Sequence, residues 1–257
     1  MSILENKIVF ITGATSGIGK ACAYSFAKEK TNLIINARRE DLLNEIAEDI
    51  RSKHGVKVLA FKMDVQNRDE VNKSVAELPP EWKNIDILLN NAGLAKGLNK
   101  IYEDDPDNWD VMIDTNIKGL LYVTRAIVPG MVERNSGHII MLGSIAGRIA
   151  YPKGAVYCAT KHALNAITNS LRIDVNDKNI RVSTVDPGAV ETNFSMVRFE
   201  GDRQKSDAVY RGYDQLVAED IAECVMFCAT RPPHVSIHEI VVMPRAQANP
   251  FVLHREE

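Results

Sequence analysis

The 257-residue sequence lacks features that mark several classes of protein. No run of about 18 apolar residues could cross a bilayer, and the net charge of -3 gives no basic excess for nucleic acid. The N-terminus, MSILENKIVFITG, has no basic segment followed by an apolar run and a cleavage site. We therefore expect a cytoplasmic protein that binds neither nucleic acid nor a membrane.

The four cysteines lack the CxxC spacing of a metal site or a redox pair. Cys224 and Cys228 lie four residues apart, which places them on one face of an apolar helix. We interpret the cysteines as structural and predict no bound metal.

Short apolar runs rich in Ile and Val recur with room for a helix between them, which is typical of a parallel sheet covered on both faces. The pattern predicts seven strands, at 8–12, 31–36, 57–62, 85–90, 138–142, 180–186 and 239–243. It predicts helices at 17–29, 40–54, 68–78, 156–176 and 219–229, with a pair across 106–135. Because no linker or repeat interrupts this order, residues 1–257 are predicted to form one α/β domain with a doubly wound seven-stranded sheet. The polar stretch 192–215 departs from the pattern and is predicted to be a substrate lid.

The first strand leads directly into the glycine-rich run from Thr12 to Gly19, and a predicted helix follows at once. Free backbone N–H groups and the positive end of a helix dipole at such a turn bind a pyrophosphate, as in Rossmann-like folds. Arg38 and Arg39 follow the second strand, and the carboxylate that would bind a ribose 2′-hydroxyl is missing there. Two guanidinium groups stand where a 2′-phosphate would lie, so NADP(H) is the predicted cofactor.

A tyrosine and a lysine four residues apart, Tyr157 and Lys161, share one face of a predicted helix. A nearby ammonium favours the phenolate and lowers the pKa of a tyrosine, which makes the phenol a usable general acid/base. Ser144 ends the fifth strand, where its hydroxyl can hydrogen-bond a substrate oxygen. These residues predict acid/base chemistry at a hydroxyl or carbonyl group.

Over essentially the whole chain, these motifs resemble those of the short-chain dehydrogenase/reductase family. Residues 12–19 match its TGxxxGxG motif, residues 90–93 read NNAG, and residues 187–192 resemble its PGxxxT segment. The resemblance implies an NADP-dependent oxidoreductase with the catalytic tetrad Asn116, Ser144, Tyr157 and Lys161. The cofactor-binding residues that it implies are Gly13, Thr15, Ser16, Gly17, Ile18, Gly19, Arg38, Arg39, Asp64, Val65, Asn91, Ala92, Gly93, Tyr157, Lys161, Pro187, Gly188, Val190 and Thr192.

The family resemblance also implies roles and partners. Tyr157 would exchange a proton with the substrate oxygen while a hydride passes between the substrate carbon and the nicotinamide. Lys161 would contact the nicotinamide ribose, and Asn116 would help hold a water that links Lys161 to solvent. Relatives form homotetramers through long helices, so a homotetramer is expected here.

The segments around Ser144 and after Glu191 look like those of the NADP-dependent 3-hydroxy acid dehydrogenase subgroup, whose members act on serine, allo-threonine and related acids. Beside Ser144 and Tyr157, Arg148 and Arg198 are the candidates for binding a substrate carboxylate. Each arginine could equally be a surface or subunit-interface residue.

Three other functions compete with this assignment. A broad carbonyl or diketone reductase would use the same tetrad. A 3-ketoacyl reductase would need a basic surface for an acidic carrier protein, and no basic cluster flanks the site in the sequence. An NADPH-sensing binding protein is disfavoured because the tetrad is intact.

Overall fold

The computed structural model describes residues 2–256 and contains a parallel sheet covered by helices on both faces. Its strands are β1 (Ile8–Thr12), β2 (Asn32–Ala37), β3 (Val58–Lys62), β4 (Ile87–Asn90), β5 (Gly137–Leu142), β6 (Ile180–Pro187), β7 (Val190–Glu191), β8 (Leu216–Val217) and β9 (Glu239–Val242). Strands β7 and β8 form a separate parallel pair, and the other seven form the main sheet.

The helices are α1 (Gly17–Lys28), α2 (Glu40–His54), α3 (Arg68–Ala76), α4 (Pro106–Ile113), α5 (Leu120–Glu133), α6 (Ala155–Asp174), α7 (Phe194–Arg198), α8 (Arg203–Tyr210) and α9 (Ala218–Ala229). Within residues 2–256, none of them is both long enough and apolar enough to span a membrane. In the same part of the chain, no three His, Cys, Asp or Glu side chains cluster in a way that could hold a metal ion.

Two hydrophobic cores lie on opposite faces of the sheet because successive strand residues point in opposite directions. Val9 and Ile11 of β1 belong to the core that α1, α2 and α9 cover. Ile8 and Phe10 belong to the other core, which α3, α5 and α6 cover. Burial of both faces explains why the strands read as nearly continuous apolar runs.

The strand order β3-β2-β1-β4-β5-β6-β9 confirms the predicted fold class, a Rossmann-like doubly wound sheet. After β3 the chain returns to the middle of the sheet, where β4 pairs with β1. The order reverses at this point, which opens a crevice at the carboxyl ends of β1 and β4. All seven predicted strands are present, with ends within two residues of the prediction.

Two regions differ in detail from the sequence pattern. Residues 114–119, between α4 and α5, form a π-helical turn rather than a continuation of the α-helix. Residues 192–215 contain α7 and α8, and the short pair of β7 and β8 flanks them. The predicted lid therefore corresponds to a small helical segment, and its role as a lid stays a prediction.

Replacing Ile34 by alanine should test the packing of the central sheet. Ile34 is fully buried in β2, between Phe10 of β1 and Leu59 of β3. Its truncation should lower the free energy of unfolding by about 2 to 5 kcal/mol, because the cavity cannot close completely. Ile3→Ala is the matched control, since Ile3 is 57% exposed and should cost no more than about 0.5 kcal/mol. Urea unfolding that gives equal losses for the two variants would contradict this packing.

Candidate active site

A cleft of about 460 Å³ lies at the carboxyl ends of the central strands. This volume falls in the range of about 300 to 1,000 Å³ that is usual for small-molecule sites. Every cofactor-binding residue predicted from the sequence lines the cleft except Gly19. Of the predicted tetrad, Ser144, Tyr157 and Lys161 line it as well.

The amino-terminal end of α1 has the properties of an anion-binding site. Ser16 is the N-cap residue, and its side chain makes no capping hydrogen bond, so the first-turn N–H groups are free to bind an anion. Gly19 lies one turn into the helix, and a Cβ there would come within 2.5 Å of the Gly13 carbonyl oxygen. Gly19 therefore shapes the cleft by letting the helix pack close to the loop. This cradle fits a dinucleotide pyrophosphate.

The loops after β1 and β4 are held together by the side chains of Thr12 and Asn91. The Asn91 amide nitrogen Nδ2 donates to the carbonyl oxygens of Thr12 at 2.8 Å and Gly13 at 3.1 Å. In return, the Thr12 hydroxyl accepts from the backbone N–H groups of Asn91 at 3.0 Å and Ala92 at 2.9 Å. The preceding residue, Asn90, does not take part in this contact. Its side chain is buried in the sheet, where the amide nitrogen donates to the Thr124 hydroxyl at 3.0 Å.

Two exposed arginines, Arg38 and Arg39, follow β2 and line the cleft. The Arg39 nitrogen Nη2 donates to the hydroxyl oxygens of Thr15 at 3.0 Å and Ser16 at 3.1 Å, so its guanidinium lies over the glycine-rich loop. The last residue of β2 is Ala37, and no carboxylate competes with a phosphate there. The donor set therefore fits a 2′-phosphorylated ribose.

The structure brings Ser144, Tyr157 and Lys161 to one wall of the cleft. Tyr157 lies in the first turn of α6 and is only 8% exposed. One turn later, the Lys161 nitrogen Nζ lies 6.0 Å from the centre of the Tyr157 ring. It donates to the carbonyl oxygen of Leu142, at the end of β5, over 2.8 Å.

Asn116 lies in the π-helical turn, and such turns are frequent at functional sites. Its side-chain oxygen accepts from the Leu94 N–H at 2.9 Å, and its side-chain nitrogen donates to the Leu94 carbonyl oxygen at 2.8 Å. A Cβ on Gly93 would lie 3.3 Å from the Asn116 oxygen Oδ1 and 3.7 Å from the Lys161 Nζ. The structure therefore brings the fourth predicted tetrad residue close to Lys161, although Asn116 does not line the cleft.

Burial dominates the electrostatics of the catalytic pair. It raises the pKa of Tyr157 above its ordinary value and lowers the pKa of Lys161 to about 8. Tyr151 raises the pKa of Tyr157 further, whereas Arg198 and the Ser144 side chain lower it. Arg198 is therefore a second cation near the phenol, beside Lys161, and the lowering of the Tyr157 pKa by Lys161 stays a prediction.

The Arg198 guanidinium packs against three aromatic rings at the edge of the site. Its carbon Cζ lies 5.0 Å from the ring centre of Tyr157, 5.2 Å from that of Phe194 and 5.8 Å from that of Tyr151. Its nitrogen Nη2 donates to the Tyr151 hydroxyl at 2.6 Å. Its nitrogen Nε is buried and has no hydrogen-bond partner among residues 2–256. The guanidinium thus has an unused donor next to the tyrosine that is predicted to be catalytic.

Neither candidate arginine is among the residues that line the cleft, and only Arg198 lies against Tyr157. Arg148 follows a short 3₁₀ turn, Ile145–Gly147, and its side chain extends towards β6 and β9. Its Nε donates to the Asp186 carboxylate at 2.8 Å, and its Nη2 donates to Glu239 at 2.6 Å. Two carboxylates already occupy this guanidinium, so the structure does not favour the predicted contact with a substrate carboxylate.

Sequence reasoning missed several residues that line the cleft, among them Asn36, Gln66, Leu94, Thr115, Phe194 and Val197. Phe194 packs edge-on against Tyr157, with ring centres 5.5 Å apart. An aromatic residue at the start of the otherwise polar stretch 192–215 was a signal for this contact. Gln66 donates to the Thr115 hydroxyl at 2.6 Å, a long-range contact that no local pattern indicates.

Comparison with known proteins identifies the class that this fold and site define. The family described as short chain dehydrogenase matches residues 7–203, and the chain belongs to this family. The chain is 45% identical over 258 aligned residues to an NADP-dependent 3-hydroxy acid dehydrogenase of Schizosaccharomyces pombe, and the alignment covers 100% of both chains. It is 43% identical to sulfoacetaldehyde reductase 2 of Chromohalobacter salexigens, over 95% of this chain and 96% of the relative.

A solved structure gives the same result. The closed form of a serine dehydrogenase complexed with NADP⁺ superposes with a TM-score of 0.91 at 41% identity, over 97% of this chain and 100% of that one. The resemblance to the short-chain dehydrogenase/reductase family and to its 3-hydroxy acid dehydrogenase subgroup is therefore confirmed.

Replacing Tyr157 by phenylalanine should separate catalysis from cofactor binding. Loss of the hydroxyl should lower turnover by about 10² to 10⁴, the usual contribution of a general acid/base. The affinity for NADPH, followed by nicotinamide fluorescence, should stay nearly unchanged because the phenol contacts the substrate. Tyr102→Phe is the matched control, since Tyr102 is 75% exposed. Near-normal turnover in Tyr157→Phe would show that another residue is the acid/base.

Proposed function

We propose that this chain is an NADP-dependent dehydrogenase of short 3-hydroxy acids such as serine, allo-threonine and 3-hydroxyisobutyrate. The observation that carries the proposal is the Arg198 guanidinium, which lies against Tyr157 with one buried donor unused. A carboxylate bound to this guanidinium keeps a hydroxyl on the third carbon of the same molecule within reach of the phenol. The names of the relative from Schizosaccharomyces pombe and of the serine dehydrogenase support the same substrate class.

The cofactor is NADP(H), and the residues at the end of β2 explain the choice. Arg38 and Arg39 would bind the 2′-phosphate, and the free N–H groups at the start of α1 would bind the pyrophosphate. When bound, the nicotinamide supplies the acceptor or donor of the hydride.

Each tetrad residue has a separate task in the proposed reaction. During oxidation Tyr157 takes the hydroxyl proton of the substrate, and the Ser144 hydroxyl donates a hydrogen bond to the substrate oxygen. Lys161 would hold the nicotinamide ribose, and Asn116 would help hold a water that links Lys161 to solvent. Reduction runs in reverse, with Tyr157 as the proton donor. Burial raises the pKa of Tyr157, which favours the protonated phenol that reduction requires.

Arg198 gives the site its preference for acids. In the structure its Nη2 bonds the Tyr151 hydroxyl, and a substrate carboxylate would replace that hydroxyl as the partner. A bidentate pair with a guanidinium fixes the orientation of a carboxylate as well as its position. The same chemistry would accept a sulfonate, so the relative from Chromohalobacter salexigens makes sulfoacetaldehyde a second candidate substrate.

The segment 192–215 is proposed as the substrate lid because α7 carries both Arg198 and Phe194. We also propose that the chain forms one domain and assembles as a homotetramer through α5 and α6, where Leu121 is 40% exposed and Ile173 is 76% exposed. The cytoplasmic location stays a prediction.

Activity assays separate this function from the alternatives. A broad carbonyl or diketone reductase would prefer neutral substrates over acids. A 3-ketoacyl reductase would require the carrier-linked substrate. An NADPH sensor would bind NADPH tightly and turn over no substrate in a broad panel.

The cofactor preference should depend on the two arginines after β2. The unmutated enzyme should use NADP⁺ more efficiently than NAD⁺, and Arg38→Ala/Arg39→Ala should flatten the preference, since each charge-assisted bond to phosphate is worth about 1.5 to 3 kcal/mol. Arg68→Ala, at a 68% exposed side chain outside the cleft, is the control. The measurement is kcat/KM with both cofactors, and equal values in the unmutated enzyme would contradict the assignment.

Removing the Arg198 charge should weaken acids more than neutral substrates. In Arg198→Met, the ratio of kcat/KM for L-serine or 3-hydroxyisobutyrate to that for a neutral secondary alcohol should fall about tenfold or more, because a lost ion pair removes binding and orientation together. Arg148→Met is the control and should leave this ratio unchanged, since the Arg148 guanidinium is paired with Asp186 and Glu239.

Two results would contradict the substrate assignment. An unmutated enzyme that prefers the neutral alcohol or a diketone would be a general carbonyl reductase. A preference for sulfoacetaldehyde over the hydroxy acids, lost in Arg198→Met, would keep the anion-binding role and change the substrate.

A further inference from the structure

A chain of charges joins three strands beside the catalytic lysine, from the buried Asp186 through Arg148 to the partly exposed Glu239. Asp186, in β6, is fully buried, and its oxygen Oδ2 lies 2.8 Å from the Arg148 Nε and 2.7 Å from the Arg148 Nη2. The same Nη2 lies 2.6 Å from the carboxylate of Glu239, the first residue of β9. Arg148 belongs to the loop after β5, so the network links β5, β6 and β9.

The second oxygen of the Asp186 carboxylate, Oδ1, is buried and has no hydrogen-bond partner within the described part of the chain. It lies directly against the backbone of Gly143, where any Cβ would overlap with it. The Gly143 N–H donates to the Val185 carbonyl oxygen at 2.8 Å, which holds this contact in place. Only glycine therefore fits at the position before Ser144.

Lys161, in α6, also contacts the backbone at the end of β5. Its Nζ donates to the carbonyl oxygen of Leu142, the residue before Gly143. Lys161 is only 7% exposed, and burial alone would favour its neutral form. Asp186 is the carboxylate whose charge opposes this effect, and Lys161 in turn favours the ionised form of Asp186 against its own burial.

We propose that Asp186 is a positioning residue that keeps Lys161 protonated in the catalytic site, with Arg148 holding Asp186 in its ionised form and orientation. The other groups around the lysine cannot do this: Tyr157 and Asn116 are uncharged, and Arg198, which faces Tyr157, is a cation. Around Asp186, Arg148 and Lys161 favour the carboxylate, whereas Glu239 opposes it. The proposal rests on the proposed role of Lys161 and is independent of the substrate.

Asp186→Asn removes the charge with almost no change of shape. We expect the pH above which the protein loses affinity for NADPH to fall by about one unit or more, because an opposite charge nearby shifts a pKa by about 1 to 3 units. Nicotinamide fluorescence between about pH 6 and pH 10 measures this without substrate. The alkaline limb of kcat/KM for ketone reduction should move by the same amount.

Two comparisons separate this role from a structural one. Glu239→Gln removes the outer, 42% exposed carboxylate of the same network. It should leave the pH above which NADPH affinity is lost unchanged. In a Lys161→Met background, Asp186→Asn should cause no further change in the pH dependence of NADPH binding. If Asp186→Asn lowers the NADPH affinity equally at every pH, without shifting the pH at which affinity is lost, the proposal is wrong and Asp186 has a structural role only.

The single variant takes one carboxylate away from the Arg148 guanidinium, whose side chain is 31% exposed, and this loss can destabilise the fold. The double variant Arg148→Met/Asp186→Asn removes both charges together, and such neutral exchanges are usually tolerated. It serves as the second variant, and we expect the same shift in the pH at which NADPH affinity is lost. The binding measurement requires no substrate, so a wrong substrate class would leave its result intact. Retained turnover in Tyr157→Phe would contradict the proposed catalysis without moving the NADPH-binding limb.

Discussion

The hydrogen bonds between Thr12 and Asn91 fix the two loops on which the rest of the site is built. They join the loop after β1 to the loop after β4, at the point where the order of the strands reverses. They act together with the bonds that Gly13 and Ala14 donate to the Asn36 carbonyl oxygen and with the two bonds between Leu94 and Asn116. Because the Asn91 side chain also lies beside Gly19, the same interaction sets how closely α1 approaches the loop.

The site places ionisable groups where water is scarce. Lys161 has a pKa of about 8 in the folded protein and 10.5 as an ordinary lysine, so the unfolded chain binds more protons between these values. The buried lysine therefore destabilises the fold at neutral pH, and this effect diminishes as the pH rises through that window. Active sites commonly accept such a loss of stability because chemistry requires the charge.

Two cations, Arg198 and Lys161, lie near Tyr157 and have different contacts. Arg198 lies closest to the phenol ring and acts on its ionisation, whereas Lys161 is directed to the strand ends and to the cofactor side. A carboxylate substrate that pairs with Arg198 would weaken the influence of Arg198 on the phenol. Substrate binding and proton transfer are therefore coupled through one guanidinium in the proposed function.

Much of the fold and of the site could be predicted because the signals are local. The apolar runs predict the strands, since both faces of a parallel sheet are buried. The spacing of Tyr157 and Lys161 places both on one helix face, and Arg38 and Arg39 follow directly from the end of β2. The π-helical turn around Asn116 gave no such signal, because its residues fit the period of an α-helix equally well.

The sequence by itself determined the order of the elements, the glycine-rich turn and most of the residues that line the cleft. Only the tertiary structure decided which charges meet. Arg148 and Glu239 are 91 residues apart, and Arg198 and Tyr151 are 47 apart, yet each pair is in contact. Arg148 and Arg198 look alike as candidates in the sequence, because a guanidinium binds whichever carboxylate or ring the folded chain places beside it. That choice depends on long-range packing, which no local pattern encodes.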